Sequence, residues 1–188
     1  METNYSISRP ELLTVTQDGH SWRGADQLWY HDDWQQKAGC GPTTASMMAS
    51  YLAQTRRDCA SLYPSGSWEQ GDVIALMEEM WNFVTPGKHG VNTTHLFVKG
   101  LTAFAAGKGV TLPLRELDIP RLRLARPTMD QCAAFLRSSL NADQPVAWLN
   151  LHRGEVEALD DWHWVIIIAL EDRRLGRELC TSLDGGRE

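Results

Sequence analysis

Residues 38–48 read Ala-Gly-Cys-Gly-Pro-Thr-Thr-Ala-Ser-Met-Met, and this stretch predicts a helix that begins at a cysteine. Pro42 suits the first turn of a helix, because the N–H that proline lacks would have no partner there. Alanine, methionine and leucine are good helix formers. Apolar residues recur at helical spacing at Ala45, Met48, Ala49 and Leu52. We therefore expect a helix directly after Cys40.

Cys40 has the setting of a reactive cysteine. The backbone N–H groups and the dipole at the beginning of a helix favour negative charge, and the thiolate is the nucleophilic form of cysteine. Gly39 and Gly41 would leave room for a substrate backbone beside the sulfur. The alternative interpretation is a small buried cysteine in a tight turn, since free cysteine is among the most buried residue types. The flanking glycines and the small-residue helix favour a nucleophile.

His163 is the candidate acid–base partner of this cysteine. It follows Asp161-Trp162 and begins the β-branched apolar run His163–Leu170, which is typical of a strand covered on both faces. Taken alone, a histidine at this place is more often structural. A cysteine nucleophile, however, requires a histidine that is distant in sequence and adjacent in space, together with a group that orients it.

Asp184, in Leu-Asp-Gly-Gly at 183–186, is the candidate for that orienting group. If residues 178–183 return as a strand paired with the strand from His163, Asp184 lies near His163. A carboxylate there could hold the imidazole tautomer through its other ring nitrogen. An Asp-Gly turn residue is an equally good interpretation of the sequence alone. Asp172, at the far end of the strand, is a weaker candidate.

The remaining pattern predicts helices first and strands later. Helices are expected over residues 70–83, 94–106 and 129–140. Strands are expected over residues 145–151, 163–170 and 178–183, with a polar turn at 171–174 and a polar, turn-rich segment over the first 35 residues. This order indicates an α+β fold, and 188 residues suit a single domain over 1–188.

The amino-acid composition limits the classes of partner that this protein is expected to bind. The 18 basic residues against 24 acidic ones give a net charge of −6, which argues against nucleic acid as the partner. The basic patch Arg121, Arg123 and Arg126 alternates with leucines and predicts the exposed face of a short strand. No apolar run is long enough for a membrane span and the N-terminus lacks a signal-peptide pattern, so we expect no membrane partner and a cytoplasmic location. The alternative is a secreted protein whose export signal has been removed.

The four cysteines are expected to be free thiols. They stand at 40, 59, 132 and 180 without any Cys-x-x-Cys pair, and a reducing compartment does not support a disulfide framework. His31-Asp32-Asp33 could suggest a metal site, but no further ligand cluster has usable spacing. A solvated loop is the better interpretation of that segment.

Two stretches resemble the C39-like cysteine peptidases. Cys-Gly-Pro-Thr-Thr-Ala-Ser-Met-Met at 40–48 resembles the nucleophile helix of that family, and His-Trp-Val-Ile-Ile at 163–167 resembles its histidine strand. The order Cys, His, Asp also matches, whereas residues 55–140 show only a generic helical layout. The resemblance implies a papain-like α+β fold, in which an N-terminal helical part with the nucleophile helix packs on a C-terminal antiparallel β-sheet.

The resemblance also implies a glutamine that donates to the oxyanion hole a few residues before the cysteine. The usual spacing of the family falls on Trp34, so the loop must differ slightly in this chain. Gln35 and Gln36 are both available, and Gln35 is the preferred candidate.

Together these features predict a cysteine peptidase or amide hydrolase that acts on a peptide or protein substrate. Cys40, His163 and Asp184 would form the triad, the intermediate would be a thioester, and neither metal nor organic cofactor would be required. Three alternatives stay open. They are a phytochelatin-synthase-like acyltransferase of the same fold, a catalytically silent peptide-binding module, and a structural role that uses the tryptophan-rich surface.

Overall fold

The computed structural model describes residues 3–120, 122–152, 160–173 and 177–183. Its strands and helices are, in chain order, β1 (Thr3–Ser6), β2 (Thr14–Gln17), β3 (His20–Arg23), α1 (Asp33–Ala38), α2 (Cys40–Thr55), α3 (Gln70–Trp81), α4 (Thr94–Gly107), α5 (Met129–Asn141), β4 (Val146–Asn150), β5 (His163–Arg173) and β6 (Arg177–Leu183). Short 3-10 helices cover Pro10–Leu13, Gln27–Trp29, Arg57–Leu62 and Arg123–Ala125. The predicted α+β class, with antiparallel sheets, is confirmed.

β5 is the centre of the main sheet. Its first half pairs with β4, from His163 opposite Asn150 to Ile167 opposite Val146, and its second half pairs with β1. β6 pairs along the other edge of β5. β2 and β3 form a separate two-stranded hairpin. Residues 164–168 of β5 are buried, as their β-branched composition predicts.

α2 is enclosed on all sides. Every residue from Gly41 to Leu52 is buried, whereas the apolar spacing in the sequence predicts one buried face. The helix packs against the sheet strands β4 and β5 and against α3 and α4. Serine hydroxyls are tolerated in this interior because they bond back to helix carbonyls, Ser46 to Pro42 at 2.8 Å and Ser50 to Met47 at 2.9 Å.

Four predictions of local structure are wrong. Strands precede the helices as well as follow them, since β1 lies at the N-terminus and completes the main sheet. Residues 171–173 belong to β5 instead of a turn, because pairing with β1 and β6 extends the strand. The basic patch forms a 3-10 helix at Arg123–Ala125 instead of a strand, and Arg121 lies outside the described residues. Helix α3 ends at Trp81, two residues before the predicted limit.

Among the described residues, no helix combines the length and apolar character needed to cross a bilayer.

Candidate active site

Cys40 is the first residue of α2 and is half-buried, whereas the twelve residues that follow it are buried. α1 ends at Ala38, so the chain changes direction at Gly39 and enters α2 at the cysteine. The helical hydrogen bonds of α2 begin with the Thr43 N–H, which donates to the Gly39 carbonyl at 2.9 Å. The N–H groups of the first turn, including that of Cys40, have no acceptor within the helix itself. Cys40 therefore stands where a helix can stabilise negative charge.

The glycines beside Cys40 allow close packing of the protein on itself. A Cβ atom at Gly39 would lie 2.6 Å from the ring of Tyr30, and one at Gly41 would lie 2.9 Å from Val91 Cγ2. The space that the sequence suggested for a substrate backbone is thus occupied by Tyr30 and Val91. Burial raises the pKa of the Tyr30 hydroxyl, which donates a hydrogen bond of 3.1 Å to the Met77 carbonyl.

His163 is the first residue of β5 and lies opposite Asn150 of β4. The approach to the strand is held by the buried Asn150, whose Nδ2 donates a hydrogen bond of 2.7 Å to the Asp160 carbonyl. Trp162 takes a positive φ of 58°, which turns the chain sharply before the histidine. The place of His163 is therefore set by the sheet register and by this turn.

Cys40 and His163 line one cavity of about 100 Å³. The structure thus brings together two of the predicted site residues that are far apart in sequence. The remaining walls come from the segment before α1, from α2, from the approach to β5 and from the end of β6. They include Asp26, Gln27, Thr43, Met47, Asp160 and Leu183.

Gln35 and Gln36 do not line this cavity. Gln35 Nε2 donates to the carboxylate of Glu78 at 2.7 Å, and Gln36 Nε2 donates to the Tyr30 carbonyl at 2.7 Å. Both side chains belong to α1 and stabilise its contacts with the neighbouring structure. Neither glutamine lies in the cavity that Cys40 lines.

Gln27 is the glutamine that lines the cavity with Cys40 and His163. It opens the 3-10 helix Gln27–Trp29, which is capped by the Asp26 carboxylate accepting from the Leu28 N–H at 2.9 Å. Its Nε2 donates to the Gln36 carbonyl at 2.7 Å, and its buried Oε1 has no hydrogen-bond partner among the described residues. The amide is therefore held in place and still has one N–H bond and one oxygen to offer.

Gln27 was not among the predicted site residues, because it lies further before Cys40 than the few residues that the family resemblance implies. The available signal was the Asp-Gln pair that precedes an aromatic stretch. The pair can be recognised as part of the site only in the folded structure, where α1 brings the chain back toward Cys40.

Asp184 lies outside the described residues. Leu183, which precedes it in the chain, lines the cavity and pairs with Ile166 of β5. Asp172 stands near the opposite end of β5 from His163, in register with Thr3. The carboxylate residues found along the cavity in the described ranges are Asp26 and Asp160.

Asp32 caps α1 with its carboxylate. Its Oδ1 accepts from the N–H groups of Trp34 and Gln35 at 2.9 and 3.1 Å. No group of three or more histidine, cysteine, aspartate or glutamate residues in the described part of the chain is arranged to hold a metal.

Comparison with protein-family models, with curated proteins and with solved structures found no match to this chain.

Proposed function

We propose that this protein is a papain-like cysteine hydrolase of the C39-like kind, with Cys40 as nucleophile and His163 as general acid and base. The observation that carries the proposal is the shared cavity of these two side chains, one at the beginning of a buried helix and one at the beginning of a buried strand. Nucleophilic cysteines need such a partner within reach. A cysteine and a histidine that line one cavity from two separate elements match the arrangement expected of a cysteine–histidine pair.

The arrangement of elements supports the papain-like part of the proposal. The helix that begins at the cysteine is enclosed by the rest of the fold and packs on an antiparallel sheet, and the histidine comes from the central strand of that sheet. A rigid helix and a strand with neighbours on both edges hold their side chains more accurately than loops do.

In the proposed reaction, the Cys40 sulfur attacks the carbonyl carbon of an amide bond. His163 accepts the thiol proton and then donates it to the leaving amine, which yields a thioester on Cys40. Water, deprotonated by His163, attacks the thioester carbonyl and releases the carboxylic acid and the thiol. Each step moves one proton through His163, so no external redox partner is required.

Gln27 and the Cys40 N–H are the proposed donors to the oxyanion. Nε2 of Gln27 has a second N–H beyond the one bonded to Gln36. The amide is oriented by that bond before any substrate arrives, and preorganised donors are the effective ones. Loss of one such donor in other hydrolases costs about 3 kcal/mol of transition-state stabilisation. This assignment replaces the sequence-based choice of Gln35 or Gln36.

Asp184 stays the proposed orienting group for His163. It follows Leu183, which lies in the cavity wall. Orientation by a carboxylate would fix the imidazole tautomer that can accept the thiol proton. The substrate is proposed to be a peptide or protein.

The test is cleavage of a defined peptide library by the purified full chain, followed by mass spectrometry. We expect the parent and Cys180→Ala, which changes an exposed cysteine, to generate the same new peptide termini. Cys40→Ala and His163→Ala should generate none above background. Cleavage that persists in Cys40→Ala would contradict the proposal. Products that carry an added amine in place of water would assign acyl transfer instead.

A further inference from the structure

A second and larger cavity lies along β4. Its volume is about 630 Å³, against about 100 Å³ for the cavity at Cys40, and it falls in the range of about 300–1,000 Å³ that is common for ligand pockets. One wall contains every residue from 144 to 152, and the opposite wall contains every residue from 112 to 120. The floor comes from α2, α4 and α5, through Met48, Leu52, Phe97 and Phe135.

The cavity includes an edge of β4 as well as part of one face. Successive side chains of a strand point to opposite faces, so a cavity over one face would touch alternate residues. Here every residue of Val146–Asn150 lines the cavity. In the described part of the chain, β5 is the one strand that pairs with β4. The other edge of β4 therefore presents backbone N–H and C=O groups that the sheet does not use.

Two charged residues of the facing wall, Arg115 and Glu116, are bound to side chains of the floor helices α5 and α4. Arg115 donates from Nη2 to the hydroxyls of Ser138 and Ser139 at 3.1 and 3.3 Å, and its guanidinium lies over the Phe135 ring. Glu116 accepts from the Thr94 hydroxyl.

Apolar side chains make up most of the rest of the two walls. They include Leu114, Leu117, Ile119, Trp148 and Leu149. Apolar groups of a ligand, together with backbone hydrogen bonds to β4, fit this lining.

Trp164 is shared by this cavity and the one at Cys40, because it lines both. The ring is fixed by stacking on Phe97, with centroids 4.4 Å apart. Asn150, at the end of β4, is in register with His163. The five residues of β4 span about 17 Å at the usual rise of a strand. A chain that follows this edge would reach the Cys40 cavity at the Asn150 end.

We propose that the β4 cavity binds an extended, apolar segment of the substrate peptide, which adds as a strand to the free edge of β4 and leads the scissile bond to Cys40. The identity of this peptide as a substrate rests on the proposed function. Strand addition obtains affinity from main-chain hydrogen bonds and specificity from pockets for alternate side chains. The lining of the cavity thus predicts that the protein prefers peptide substrates with apolar residues at alternate positions on one side of the cleaved bond.

The test measures peptide binding to the full chain carrying Cys40→Ala, which removes turnover. The probe is an acetylated hexapeptide in which leucine and phenylalanine alternate with threonine. Its controls are the same peptide with serine in place of leucine and phenylalanine, and a version that is N-methylated at alternate amides. Binding is followed by calorimetry and by hydrogen exchange of the β4 amides. We expect the apolar peptide to protect amides of 146–150, and both control peptides to bind at least tenfold more weakly, roughly the effect of one lost anchor or backbone hydrogen bond.

A matched pair of variants locates the bound peptide. Ile119 lines the cavity and is 44% exposed, whereas Leu124 is 96% exposed and is not part of the lining. Ile119→Ser should weaken binding about tenfold through lost apolar contact. Leu124→Ser should leave the affinity unchanged.

Several outcomes would overturn the β4 proposal. They are peptide binding without protection of β4, equal binding of the N-methylated peptide, and occupation of the cavity by dodecanoic acid in preference to the peptide. Concentration-dependent protection of β4 without any peptide would assign the edge to a second copy of the chain. If the apolar peptide protects the β4 amides but the parent protein cleaves no peptide, the proposed hydrolase activity is wrong and the β4 site stands. If the parent protein cleaves peptides but the apolar peptide does not protect the β4 amides, the β4 site is wrong and the hydrolase activity stands.

Discussion

The indole Nε1 of Trp164 donates a hydrogen bond of 2.6 Å to the carbonyl oxygen of Val91. Val91 in turn packs on Gly41, where an added Cβ would come within 2.9 Å of Val91 Cγ2. The segment before α4 is thus held between the first turn of α2 and the central strand β5. Since Trp164 also lines the cavity of Cys40 and His163, the packing of these residues bears directly on the candidate site.

Replacing Trp164 by phenylalanine should destabilise the protein by about 1–3 kcal/mol, because the buried Val91 carbonyl loses its donor while an aromatic ring is retained. Urea unfolding measures the change. Trp162→Phe is the matched control, since Trp162 is 48% exposed, and its effect should stay within about 0.5 kcal/mol. Equal effects of the two substitutions would contradict the role given to the hydrogen bond.

Gly41→Ala should lower the free energy of unfolding by about 1–3 kcal/mol, because the new methyl group collides with Val91 and forces α2 away from its neighbours. Gly71→Ala tests the same change in α3, where an added Cβ meets nothing within 4 Å. That substitution should stabilise the chain by up to about 1 kcal/mol, since alanine is the better helix former. Thermal unfolding of both variants gives the comparison, and a stabilising Gly41→Ala would show that the contact is not tight.

Gln27→Ala should lower kcat by about 10²- to 10³-fold with the fold intact, as expected for the loss of one oxyanion donor. Gln35→Ala is the control, because its side chain binds Glu78 away from the cavity. Its kcat should stay within about twofold of the parent value, because Gln35 does not line the cavity. A large loss in Gln35→Ala together with a silent Gln27→Ala would restore the sequence-based assignment.

The carboxylate of Asp143 makes the free energy of unfolding depend on pH in the acid range. Burial acts to raise its pKa, but hydrogen bonds outweigh burial and lower it. The donors are the Ser8 N–H at 2.6 Å, the Tyr51 hydroxyl at 2.6 Å and the Ser8 hydroxyl at 2.9 Å. Because the folded pKa lies below the unfolded one, this stabilisation is present above about pH 4 and is lost as the pH falls through the folded pKa.

Asp143→Asn should therefore show a smaller loss of stability between neutral and acid pH than the parent. Urea unfolding as a function of pH measures the difference. Asp58→Asn is a stringent control, because the pKa of Asp58 is also lowered, by Arg56, but on an exposed carboxylate. Its pH dependence should follow that of the parent closely. Parallel pH profiles of the parent and Asp143→Asn would contradict the assignment.

The sequence predicted those features that local chemistry determines. The beginning of α2 at Cys40 follows from Pro42 and the small helix formers, and the beginning of β5 at His163 follows from its β-branched run. The features that depend on tertiary contacts were missed. β1 is a short polar strand that exists through pairing with β5, and residues 171–173 stay extended because two strands flank them.

In the candidate site, too, residues with local sequence signals were predicted, whereas a residue placed by tertiary contacts was missed. Cys40 and His163 carry sequence signals of their own, whereas Gln27 does not lie at the spacing that the resemblance implies. It reaches the cavity because Asp32 caps α1 and the helix brings the Gln36 carbonyl to the Gln27 amide. Such a return of the chain depends on packing that no short motif encodes. The enclosure of α2 on all sides, likewise, is a property of the surrounding elements.

Competitive labelling with iodoacetamide at about pH 6 tests the central claim most directly, because ordinary thiols are almost fully protonated there. Cys180 is exposed and Cys40 is half-buried, so accessibility alone predicts faster labelling of Cys180. Pairing with His163 predicts instead that Cys40 is alkylated first, and that His163→Ala slows Cys40 by at least about tenfold without affecting Cys180. Faster labelling of Cys180, or a Cys40 rate that His163→Ala leaves unchanged, would contradict the account.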